Sequence, residues 1–306
     1  MEVIQNIKKH VETLSQDIGV RSILEPGSLE AAALYIEREF ESAGLHVVRQ
    51  EYETHWAPAA NIVARSPNWE GDKPVLVLGA HYDTTITTPG ADDNASAVAV
   101  LLETARKVVN EAPEKTSNIL FAAFSTEEPP CFSTEFMGSW IFVDRIRDSE
   151  IQVGGALVLE MVGYFSNEPG SQHVPPGLES LGLPGVGNFI VLAADQQSAE
   201  LAEWVHQGME GSGSILPVIK LVDPGHHPEL SSLMRLSDNA SFWDAGIPAL
   251  MVTDTSFLRN PNYHKDTDTA DTLDYEAMEK LVQAIVYTLC KETRNFQGSE
   301  VKSHNW

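Results

Sequence analysis

His81, Asp83, Asp92, Glu127, Glu128, Glu160 and His264 stand out because acids and imidazoles recur just beyond apolar runs. Val75–Leu78 leads to His81 and Asp83, Ile119–Phe124 to Glu127-Glu128, and Ala156–Leu159 to Glu160. A purely structural role does not explain the pattern. Carboxylates brought to one rim repel one another and lose hydration unless something cationic neutralises them. Two imidazoles and three carboxylates suit a pair of zinc ions, which accept imidazole nitrogen and carboxylate oxygen. Two metals about 3.5–4 Å apart need a bridging carboxylate and can then clamp a water and a substrate oxygen. In this reading Asp92 bridges, His81 and Glu160 complete one metal, and Glu128 and His264 complete the other. Asp83 lies two residues beyond His81, on the same strand face, and orients its ring. Glu127 adjoins a ligand without being consumed by coordination, which suits a general base and acid.

The elements that must position these groups follow from periodicity. Val75–Leu78 is too short for a helix and half β-branched, so it reads as a buried strand. Thr84 to Pro89 is a loop. Ala95, Val98, Leu101 and Leu102 then repeat at helical spacing, with Asp93 or Asn94 as cap. Upstream, Ile4, Ile7, Val11 and Leu14 mark an amphipathic helix, and a second runs from near Ser28 to Gly44. Val47–Tyr52 and Asn61–Arg65 read as strands. Downstream come a helix through Trp140 and Ile146, a strand Phe189–Ala193, a helix Ala199–Met209, strands Val218–Val222 and Ala249–Thr253, and a last helix through Met278 and Leu289. Ser166–Asn188 has no period and is rich in Gly and Pro, as expected of a lid or pocket loop. The tail 296–306 is expected to fray. Strands alternating with helices predict an α/β fold, one domain over 1–306, with a mixed, mostly parallel central sheet and helices on both faces.

Bulk properties narrow the function further. There are 44 acidic against 20 basic residues, a formal charge of −24. Nucleic acid and anionic membranes are therefore excluded as partners by repulsion, whereas a cationic peptide amine would be attracted. Without an apolar signal core or membrane-length run, the chain, read as full length, is expected in the cytoplasm. Cys131 and Cys290 read as free thiols. His10, His55 and His206 read as solvated, and His226-His227 as surface or pocket lining. HExxH, GxSxG and phosphate-loop motifs are missing, which removes other hydrolase and nucleotide chemistries.

The blocks GAHYDT, PGADDNASAVAV, FSTEEPP, LVLEMVGY and YHKDTDT, between about Val75 and Leu273, resemble the co-catalytic zinc aminopeptidases of the bacterial leucyl aminopeptidase type. Glutamate carboxypeptidase II and glutaminyl cyclase are more distant relatives. The resemblance implies a zinc-exopeptidase three-layer sandwich, two zinc ions per chain, the ligand roles given above, and a cis peptide between Asp92 and Asp93. Three features depart from the family's pattern. Glu160 stands where Asp is frequent, Ser237-Asp238-Asn239 where some relatives read SDH, and the stretch from Cys131 to Met137 is longer than usual.

The resulting expectation is a metal-dependent exopeptidase hydrolysing an amino-terminal peptide bond. Its substrate is a peptide or small amide, and Tyr164, Phe165 and Arg259 are candidate substrate contacts. The alternatives are a glutaminyl cyclase-like acyltransferase with one zinc, a carboxypeptidase, an acyl-amino-acid hydrolase, or a non-catalytic binding module. The oligomeric state is left open.

Overall fold

The computed structural model describes residues 2–69, 73–112, 118–225 and 227–290. His226 and the tail expected to fray lie outside the described residues. Among the described residues eight strands, β1 (His46–Glu53), β2 (Pro58–Arg65), β3 (Val75–His81), β4 (Ile119–Phe124), β5 (Val153–Glu160), β6 (Ile190–Ala194), β7 (Val218–Val222) and β8 (Ala249–Thr253), form one sheet in the order β1-β2-β4-β3-β5-β8-β6-β7. The four central strands β4, β3, β5 and β8 run parallel, whereas β1 and β2 join antiparallel at one side and β6 pairs antiparallel with β8 at the other. Among the described residues the α-helices are α1 (Glu2–Glu12), α2 (Pro26–Ser42), α3 (Ala97–Glu111), α4 (Gly138–Arg147), α5 (Ala199–Gly211), α6 (Pro228–Leu233), α7 (Asn239–Asp244) and α8 (Tyr275–Cys290). The short helices α6 and α7 carry no readable period and were not expected from the sequence.

Strand alternation divides the core between two helix layers. Leu76, Leu78, Leu157 and Leu159 pack with α1, α2, α3, α5 and α8 on one face. Val75, Val77, Ala156 and Val158 pack with Phe142 and Val143 of α4 and Phe242 of α7 on the other. His81 and Glu160 continue the second set, so both strand-end side chains leave the sheet toward α4 and α7. From β3 the chain crosses through α3 to β4 on one side, and from β4 through α4 to β5 on the other. Such a reversal opens a crevice beyond the carboxyl ends of the strands. Among the described residues, no helix is long and apolar enough to cross a membrane.

Candidate metal centre

The crevice gathers two sets of donors that share one carboxylate. His81, Asp93 and Glu160 form the first set, and Asp93, Glu128 and His264 the second. His81 Nε2 lies 3.4 Å from Asp93 Oδ1 and 3.3 Å from Glu160 Oε2. His264 Nε2 lies 3.1 Å from Asp93 Oδ2 and 3.2 Å from Glu128 Oε1. Ligands bound at zinc's usual distances and tetrahedral angles lie roughly 3.3–3.6 Å apart, so the donor spacing fits that ion. Both ring nitrogens of His81 and Glu128 Oε1 are buried without a hydrogen-bond partner. Orphaned buried donors of this kind are costly unless something cationic is held among them.

Electrostatics support the same fit. Burial pushes the Glu127 carboxyl well up, and burial with the nearby Asp93 charge pushes Glu128 to about 8. Burial opposes the charging of His264, but Asp93 and Glu128 outweigh it and raise the ring to about 10. His81 is also raised, because Glu160 and Glu127 overcome its burial. Burial opposes ionisation of Asp93 too, yet the two histidines hold its carboxyl well below the usual range. The cluster thus contains more acid than its two imidazoles can neutralise, which suits added cations.

The expected bridge is corrected by one residue. Asp92 belongs to neither donor set. Its Oδ1 accepts the Gly163 N–H at 2.9 Å and its Oδ2 accepts Asn260 Nδ2 at 2.7 Å. Burial and the adjacent Asp254 push the Asp92 carboxyl up, the reverse of what a ligand beside two histidines experiences. The cis peptide is likewise Asp93-Asn94, one bond beyond the expected position. Gly90, at φ +62°, opens this turn, and a Cβ there would stand 2.2 Å from the Asp93 carbonyl oxygen. Only glycine tolerates both conditions.

Asp83 stands 3.4 Å from His81 Nδ1 and also accepts the backbone N–H groups of Glu127 and Glu128, each at 3.0 Å. One carboxylate therefore fixes a ring and the backbone of the acidic pair together. Glu127 is 5% exposed and lies outside both donor sets, with Oε2 4.0 Å from His81 Nε2. Ser237 Oγ donates to Glu160 Oε2 at 2.6 Å.

Two supports were not singled out from the sequence. Asp268 accepts the N–H groups of Asp92 and Asp93 at 2.9 and 3.1 Å. Arg21 is fully buried, and its guanidinium reaches the carbonyls of Leu14, Gly19, Tyr82, Pro89 and Gly90. It ties the strand exit that carries His81 and Asp83 to the loop before Asp93. Nothing in the local sequence marks an arginine that binds only backbone.

The expected substrate contacts fare differently. Arg259 is turned inward: it is 4% exposed and donates to Gln172 Oε1 and the Phe189 carbonyl at 3.0 and 2.8 Å, tying down the 166–188 loop. That geometry corrects its reading as a substrate contact. Phe165 packs beside the same guanidinium, and the backbone of Tyr164 is held by Asp254. None of the three lines the apolar cavity that opens beside Glu160. The loop itself does line that cavity, through Val174, Leu178 and Leu181, opposite Val191, Met234 and Met251. His10, read as solvated, is 3% exposed, between Tyr35 and Glu103.

Known proteins resemble this chain in sequence and in fold. The model of peptidase family M28 matches residues 61–289. The uncharacterized protein YfbL of Escherichia coli is 35% identical over 293 residues, covering 93% of this chain and 87% of that one. Among solved structures, BSAP, a zinc aminopeptidase from Bacillus subtilis, superposes with a TM-score of 0.71 at 15% identity, covering 93% of each chain. A glutaminyl cyclase from Bacteroides thetaiotaomicron superposes with a TM-score of 0.67 at 19% identity, covering 95% of this chain and 98% of its own. At such identities the two superpositions establish the shared α/β fold.

Proposed function

The chain belongs to peptidase family M28, and on that footing we propose that it is a dinuclear zinc exopeptidase releasing an apolar amino-terminal residue from peptides. The observation that carries this reading is the pair of donor sets sharing Asp93, with Glu127 beside them and in neither. His81, Asp93 and Glu160 would hold one zinc, and Asp93, Glu128 and His264 the other. Zinc held there would supply Lewis acidity and a water acidic near neutral pH. Glu127 takes a proton from the attacking water and returns it to the leaving amine, a task favoured by the basicity that burial gives its carboxyl. Asp83 keeps the His81 ring and the Glu127 backbone in fixed relation during that exchange.

The apolar cavity beside Glu160 supports the choice of substrate. Leu178, Val191, Leu221, Met234 and Met251 line it. Burying a leucine-sized side chain there is worth about 1.5–3 kcal/mol, roughly tenfold to 100-fold in kcat/KM over glycine. Among the described residues its lining contains no Lys or Arg, so a terminal carboxylate would find no cationic partner there. The acid surplus around the centre suits a terminal amine instead. These two features favour an aminopeptidase over a carboxypeptidase.

A substrate panel on zinc-loaded protein, with and without chelator, tests the proposal. Leucyl peptides should be cleaved, glycyl peptides more slowly, and N-acetyl-leucyl peptides hardly at all. Glu127→Gln should retain metal and lose about 100-fold to 10,000-fold in turnover. Loss of ammonia from a peptide with amino-terminal Gln, without hydrolysis of leucyl peptides, would move the reading to a cyclase.

A further inference from the structure

A second cavity lies beside the first. It is a wide cleft of about 600 Å³, lined in part by Phe132, Met137, Trp140, Arg235, Leu236 and Ser237. The apolar cavity beside Glu160 is narrow by comparison, about 90 Å³. Leu236 lines both spaces, and the adjacent Ser237 lines the cleft while donating to Glu160. The two cavities therefore share Leu236, next in the chain to the serine that hydrogen-bonds the candidate metal ligand.

The wall formed by residues 132–137 is pinned to the reacting centre at both ends. The Cys131 N–H donates to the Glu128 carbonyl at 3.0 Å. At the other end, Thr126 Oγ1 donates to the Phe136 carbonyl at 2.7 Å. Those anchors flank Glu127 on either side. The cleft also presents apolar surface that the fold does not use: Trp140 is 38% and Leu236 43% exposed. Arg235 is paired with Asp244 at 2.6 Å, so its charge is already matched within the cleft.

An exopeptidase needs a closed space for the terminal residue and an open path for the rest of the chain. Resting on the function proposed above, we infer that this cleft binds the second and third residues of the peptide, downstream of the bond that breaks. Phe132, Trp140 and Leu236 would favour an apolar or aromatic second residue. Burying part of such a side chain contributes to binding in proportion to the apolar area removed from water. Residues 132–137 thereby form one wall of the path for the departing chain.

The test compares leucinamide, which has nothing downstream, with the tripeptide Leu-Phe-Ala. Both are assayed with wild type, Trp140→Ala and Phe132→Ala. The ratio of kcat/KM for tripeptide over leucinamide should fall about tenfold in each variant, mainly through KM. Quenching of tryptophan fluorescence by the tripeptide, measured on metal-free protein, should weaken in parallel in Trp140→Ala. An unchanged ratio in active variants would overturn the cleft assignment and leave the exopeptidase standing. A wild-type protein that cleaves neither compound would overturn both.

Discussion

Asp92 and Asp93 are chain neighbours whose carboxylates do opposite work. That of Asp93 lies between His81 and His264, 3.4 and 3.1 Å from their Nε2 atoms, while that of Asp92 accepts bonds from Gly163 and Asn260. Asp93→Asn should therefore abolish binding of both metals. Asp92→Asn should keep two metals and lose stability. Its amide nitrogen would face either the Gly163 N–H or Asn260 Nδ2, donor against donor, at a cost of about 1–3 kcal/mol. Metal content and urea denaturation of both variants check this. Equal metal loss in both would contradict the division of roles.

Arg21 lies upstream of the segment that matches the family model, residues 61–289. Arg21→Met leaves five carbonyls without their donor and removes a cation from beneath Asp83, Asp93, Glu128 and Asp268. The expected cost is on the order of 4 kcal/mol, from several unsatisfied buried groups. Zinc affinity, measured by chelator competition, should fall at least tenfold. Arg21→Lys, with three donors, should lie between. A variant less stable but with wild-type zinc affinity would reduce Arg21 to a packing residue.

Glu103 gives the fold an acid limit. Its side chain is 1% exposed, 3.5 Å from His10 Nε2 and 2.6 Å from Arg106 Nη2. Burial raises its proton affinity, but the bonds to His10 and Arg106 outweigh that and hold the carboxyl down at about 2. An unfolded glutamate titrates near 4.3. The folded value is the lower one, so the contribution is fully present above about pH 4.5 and is lost as pH falls toward 2. Glu103→Gln should destabilise the protein by about 2 kcal/mol at pH 7 and by roughly half as much at pH 3. Urea midpoints at the two pH values decide it, and an equal loss at both would contradict the linkage.

Much of this architecture is legible in the sequence because strand and helix periods are set by burial. Val218–Val222 and Ala249–Thr253 occupy the spans their apolar patterns indicate. Helices α6 and α7 were not legible because six residues barely exceed one helical period. The donors were legible as types at strand exits, but the bridge was not. Asp92 and Asp93 are the same residue in the same context, and one peptide plane decides which carboxylate faces the crevice. Arg21 and His10 were missed for a related reason: their partners lie in distant segments, so their burial depends on tertiary packing alone.

The most direct measurement is zinc content and leucyl-peptide hydrolysis, followed on the same samples as metal-free protein is titrated with zinc. A dinuclear centre built on Asp93 predicts saturation at two zinc ions per chain, with activity rising as they bind and vanishing in the Asp93→Asn variant. Full activity without metal, or a protein that binds no zinc, would contradict it.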